Sequence, residues 1–206
     1  METISPAMAG LGLGIALASA PGPVQAVLVA EAARGGIGRG FRALAGTKLA
    51  FGLLLVCLAL GLSVAPPSGP VLRALKVAGG AFLLWLAAEG FRSGYELDAA
   101  AAGRRALAPA ARGTLAVLLN PGAWLFLAAV ASPLLAAATQ RGGTASALLV
   151  AVALVTGTAI GDSAVVLLGG IGMRRAGARV AQWVRRVLAA VLACLGVWLV
   201  VTGLIS

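Results

Sequence analysis

Ala20-Pro21-Gly22-Pro23 sits inside the first long apolar run of the chain, and about a hundred residues later Leu119-Asn120-Pro121-Gly122 sits inside another. Proline has no N–H to donate within a helix and its ring clashes with the preceding turn, so both runs are expected to unwind at these points. Within a bilayer, unwound backbone is tolerated only where it is buried in protein or lines a polar cavity. Broken apolar segments at corresponding places in two halves of a chain are a sequence pointer to a transporter's binding site.

Working outward, the 206 residues are 61% hydrophobic and 11% charged, more apolar surface than one soluble core of this length hides. The chain reads as an integral membrane protein. Its net charge of +10 is spread between apolar runs rather than gathered into an aromatic-laced basic patch, which argues against nucleic acid as a partner. Histidine is absent, and with it the commonest general base and metal ligand. No phosphate-binding loop and no serine beside a base is present, so no enzyme, metal site or cofactor is expected. Cys57 and Cys194 each stand alone in an apolar run and read as small buried hydrophobes. Leu11 to Ala20 resembles a signal peptide ending in Ala18-Ser19-Ala20, but no basic residues precede it and the apolar run resumes at Val24, so it is read as membrane span.

Six stretches are long enough to cross the hydrocarbon core: 7–30, 43–64, 71–88, 114–138, 145–171 and 187–205. Twelve of the sixteen basic residues follow the first, third and fifth of them, which puts those loops in the cytoplasm and both termini outside. Residues 91–112 read as a cytoplasmic linker between repeat one (7–90) and repeat two (113–205) of a single transmembrane domain. Three spans is an odd number, so the second repeat is inverted relative to the first. The expected fold is all-α: two inverted three-helix repeats, with the first and fourth helices broken at proline.

Lys48 and Asp162 are the only ionisable residues well inside apolar spans, and each costs about 2.5–3.5 kcal/mol at a helix centre on insertion scales. Counted at about 1.5 Å per residue, Pro23, Lys48, Pro121 and Asp162 all fall roughly 7–14 Å from the cytoplasmic face. One layer then holds both breaks and both charges; the functional reading is a Lys48–Asp162 pair there, serving substrate charge or a coupling ion such as a proton, and the alternatives are a Lys48 that snorkels to the cytoplasmic interface and an Asp162 that only clamps two helices together. Freed N–H groups would favour a carboxylate and freed carbonyls an ammonium, with Gln25 and Asn120 adding side-chain hydrogen bonds. Glu31 and Glu89, at span ends near Arg34 and Arg92, read as solvated ion pairs.

Pro21-Gly22-Pro23, the loop Gly35-Gly36-Ile37-Gly38-Arg39-Gly40, the stretch Leu75-Lys76-Val77-Ala78-Gly79-Gly80-Ala81-Phe82-Leu83-Leu84-Trp85-Leu86 and Leu119-Asn120-Pro121-Gly122-Ala123 occur in an order that resembles the LysE/RhtB family of amino-acid exporters. The resemblance runs over about residues 10–130, with a looser fit beyond. It implies a secondary transporter in the inner (cytoplasmic) membrane that exports an amino acid or related small metabolite by alternating access. It marks Pro21, Gly22, Pro23, Asn120 and Pro121 as signature positions. The family usually has lysine where this chain has Gly122, and Gly-Asp where it has Thr47-Lys48. The second change reverses the sign of a charge, which favours a neutral or acidic solute over a cationic one. The implied partners are that small solute and the lipid bilayer, and a homodimer is compatible with the chain. Two other cargoes fit the same architecture: a lipid or peptidolipid, because an apolar cavity leaves no motif, and a metal ion, for which Asp162 is the one intramembrane acid. A thiol-disulfide conductor would need cysteines at the breaks, where Cys57 and Cys194 do not lie.

Overall fold

A computed structural model describes residues 4–19, 22–61, 69–92, 107–175 and 178–205, and every element among them is helical. The helices are α1 (Ile4–Ser19), α2 (Pro23–Gly35), α3 (Ile37–Ala59), α4 (Gly69–Arg92), α5 (Pro109–Leu118), α6 (Pro121–Phe126), a π-helical turn (Leu127–Ala131), α7 (Ser132–Arg175) and α8 (Ala178–Ile205). Among the described residues, four stretches are long and apolar enough to cross a membrane: Ile37–Ala59, Gly69–Ala88, Pro121–Gly172 and Arg186–Ile205. The pair α1 and α2, bent by 66°, makes a fifth when taken as one broken span. Only 28–44% of the most apolar window of the four is buried inside the protein. The remaining face carries Leu49, Leu53, Leu168, Trp198 and Ile205 on the outside, as expected where the solvent is lipid.

Each interruption has a local cause. Pro23 occupies the first turn of α2, where its missing N–H costs no helical bond, and Gly22 before it is extended. Asn120 caps α6 by accepting a 3.0 Å hydrogen bond from the Gly122 N–H, with Pro121 again in the first turn. The π-helical turn stands just before Pro133, whose ring would otherwise meet the carbonyl four residues back, and the Ser132 hydroxyl donates to the Leu127 carbonyl there. Inside α7, Gly142 and Gly143 are non-helical, Gly143 with φ of +68°, so that this long element is two helices joined at a bend.

The loop expected between residues 30 and 43 shrinks to Gly36, which at φ of +76° turns α2 into α3 and donates its N–H to the Ala32 carbonyl. Arg34 and Arg39 are therefore helical residues. Residues 93–106, most of the expected linker, lie outside the described residues, and its last member, Arg112, belongs to α5 and is fully buried.

Glycine lets helices meet at backbone distance. Gly14 of α1 and Gly157 of α7 face each other's backbones, as do Gly113 of α5 with α3 and Gly46 of α3 with α5. Gly80 of α4 and Gly196 of α8 form a third contact of this kind. Around them, Leu55, Leu127, Leu135 and Leu154 fill the space between α3, the π turn and α7, and Val27, Leu83, Leu86 and Leu192 that between α2, α4 and α8. Cys57 is half-buried and Cys194 exposed on the apolar surface, so neither is the enclosed hydrophobe expected.

Candidate substrate cavity

A cavity of ≈ 270 Å³ lies where the two helix breaks meet. Gly22 and Pro23 from one break and Asn120 and Gly122 from the other line it, together with Gln25, Lys48 and Asp162. Pro121 is buried beside it without lining it, and Pro21 lies outside the described residues. Leu17, Val24, Phe51, Val117 and Phe126 make most of the remaining wall apolar.

Lys48 Nζ donates to Asp162 Oδ2 at 2.6 Å. Asp162 is buried at 3% exposure. Its other oxygen accepts from Gln25 Nε2 at 3.4 Å, and the same amide reaches the Ala18 carbonyl, one of the acceptors left over at the end of α1. Lys48 thus bridges α3 to α7 rather than reaching back to the membrane surface. Thr47 and Thr158 also face the cavity, each following a close-packed glycine. Their hydroxyls donate to the carbonyls of Leu44 and Val155, which leaves the oxygen lone pairs as acceptors.

The breaks offer fewer bare peptide groups than the sequence suggests. Asn120 spends its carbonyl oxygen on the Gly122 N–H, and Trp124 Nε1 donates to the Leu118 carbonyl at 2.7 Å. By contrast, the start of α2 has no side-chain cap, and Pro23, Val24 and Gln25 present it to the cavity. The positive end of the α2 dipole therefore lies at this wall of the cavity.

The solvated pair expected for Glu31 is corrected by burial: its carboxylate is 1% exposed and held by three arginines. Arg112 Nη1 reaches it at 2.8 Å, Arg39 Nε at 2.7 Å and Arg34 Nη1 at 3.4 Å. Arg34 also donates to the Leu86 carbonyl, and Arg112 donates to the Leu107 carbonyl and stacks on Trp85 at 5.3 Å. The cluster ties α2, α3, α4 and α5 together. No motif announces it, because Glu31 and Arg112 are 81 positions apart; the rarity of acids in this chain was the available signal. The side chain of Glu89 is outside those described.

A solute-sized cavity with a buried ion pair, set between interrupted apolar helices, defines a membrane carrier of small solutes. The chain belongs to the LysE type translocator family, whose model matches residues 15–203. It is accordingly a multi-pass membrane exporter of small solutes and not an enzyme. No curated protein and no solved structure gives a significant match to the chain.

Proposed function

We propose that the protein exports an amino acid or a closely related small metabolite across the cytoplasmic membrane by alternating access. The observation that carries this reading is the meeting of both helix breaks and both intramembrane charges in one ≈ 270 Å³ cavity. That volume lies at the lower end of the roughly 300–1,000 Å³ of ligand pockets, which suits a small solute better than a lipid or a peptide.

The proposed architecture is six spans in two inverted repeats. A straight helix over Pro121–Gly172, at about 1.5 Å per residue, would far exceed a hydrocarbon core about 30 Å thick, so the bend at Gly142-Gly143 is read as the turn between two spans. The packing supports a two-fold relation. The segment before the first break (α1) packs on the middle helix of the other half (α7) through Gly14 and Gly157, and the segment before the second break (α5) packs on α3 through Gly113 and Gly46. Gly157-Thr158 and Gly46-Thr47 thereby become counterparts, as do Gly80 and Gly196.

With both termini outside, the Glu31 cluster stands on the cytoplasmic side of the cavity. Glu31 is eight residues beyond Pro23 and Arg112 eight before Asn120, about 12 Å along each helix. The cluster is then the barrier that a solute arriving from the cytoplasm must find open. Loading cells with single amino acids and comparing efflux with and without the protein tests the function. Stimulated efflux of at least one amino acid is expected, and equal efflux for all of them refutes it.

A further inference from the structure

Resting on that reading, we infer that Lys48 and Asp162 form a stand-in ion pair: matched to each other as the structure shows them, they part and re-pair with the two poles of a zwitterionic amino acid that carries an apolar side chain.

The geometry sets unequal roles for the partners. Asp162 is short, buried and held by Gln25, whose amide also grips the Ala18 carbonyl at the first break. Lys48 is a flexible four-carbon stem whose ammonium makes the 2.6 Å contact. Asp162 is therefore the fixed pole and Lys48 the moving one. A solute ammonium takes the place of Nζ at Asp162, within reach of the Thr47 and Thr158 oxygens that line the same cavity. Its carboxylate follows Lys48, toward the uncapped start of α2. Leu17, Val24, Phe51, Val117 and Phe126 receive the side chain.

This exchange conserves the number of ion pairs, and from that comes the selectivity. A solute bearing only an ammonium displaces Lys48 and leaves its charge stranded among apolar spans. One bearing only a carboxylate draws Lys48 away and strands Asp162. Lysine and glutamate add a third charge that the apolar wall cannot solvate. Solutes whose net charge is positive are therefore rejected.

The test uses the full chain purified into vesicles of phosphatidylethanolamine and phosphatidylglycerol and reads counterflow of radiolabelled leucine. Competitors are unlabelled leucine, isoamylamine (leucine without its carboxylate), 4-methylvalerate (leucine without its ammonium), lysine and glutamate. Leucine is expected to compete, and each of the others to need at least ~100-fold more, as for a site whose buried polar groups are left unmatched. Lys48→Met should let isoamylamine compete within about 3-fold of leucine, and Asp162→Asn should do the same for 4-methylvalerate, because the stranded charge is gone. A merely structural pair would not shift selectivity in opposite directions. Where a single variant does not yield folded protein, Lys48→Asp with Asp162→Lys keeps both charges and should retain the preference for leucine over either fragment. Wild-type counterflow in which isoamylamine, 4-methylvalerate or lysine matches leucine overturns the stand-in pair while leaving the exporter reading in place. Absence of counterflow or efflux with every amino acid overturns both.

Discussion

Replacing Glu31 with glutamine keeps the shape of the side chain and removes the one negative charge around which Arg34, Arg39 and Arg112 gather. Removing one partner of a buried ion pair costs about 3–5 kcal/mol, since a charge is left behind where water cannot reach it. The loss is not shared equally among the three arginines. The side chains of Arg39 and Arg34 are 29% and 11% exposed and can recover some hydration, whereas that of Arg112 is 0% exposed. Arg112 keeps its bond to the Leu107 carbonyl and its contact with Trp85, so the lower end of the range applies, about 3 kcal/mol. At about 2–4 °C per kcal/mol for a chain of this length, Glu31→Gln should lower Tm by about 6–12 °C. Thermal unfolding of the detergent-solubilised protein, followed by tryptophan fluorescence, measures it. Arg112→Gln should lose nearly as much and Arg39→Gln about a third as much. A Glu31→Gln protein melting within about 2 °C of the wild type would refute the view that this cluster is a buried, mutually dependent unit.

Other perturbations have equally definite outcomes. A Cβ at Gly46 or Gly157 runs into the carbonyl of Ala110 or Leu11, so Gly46→Ala and Gly157→Ala should each cost about 1–3 kcal/mol by thermal unfolding, while Gly12→Ala, with open space around it, should be neutral or slightly stabilising. Asn120→Ala removes the cap on α6 and should lower stability by about 1 kcal/mol, whereas Asn120→Ser, which keeps an accepting oxygen without adding a charge to the cavity, should not. Lys48→Met and Asp162→Asn should each destabilise the protein, and the double variant should recover most of the loss, giving a coupling energy of about 1–3 kcal/mol in a double-mutant cycle. Equal and additive losses in that cycle would show that the two charges are stabilised separately.

Composition and covalent chemistry decide part of this molecule before any tertiary packing enters. Pro-Gly-Pro and Asn-Pro-Gly set within apolar runs restart a helix at the proline, and lipid as solvent requires apolar faces outward, so the helical class, the places of both breaks and the exposure of two isolated charges to a desolvation penalty were legible from the residues alone. Where those charges find relief stayed open in the sequence between a Lys48–Asp162 pair and the membrane surface. Lys48 could have reached the surface; it meets Asp162 because α3 and α7 pack directly on each other, while Gly46 and Gly157 let α5 and α1 close in against them. Glu31 shows the same limit from the other direction: next to Arg34 in sequence it looks like an ordinary surface pair, and only the approach of α5, bringing Arg112 across 81 positions, turns it into the buried centre of a four-helix junction. Local chemistry determined what each segment must do, and the packing of distant segments decided which partner let it do so, because a charge inside apolar surroundings is stabilised by whatever group the fold carries within about 3 Å of it.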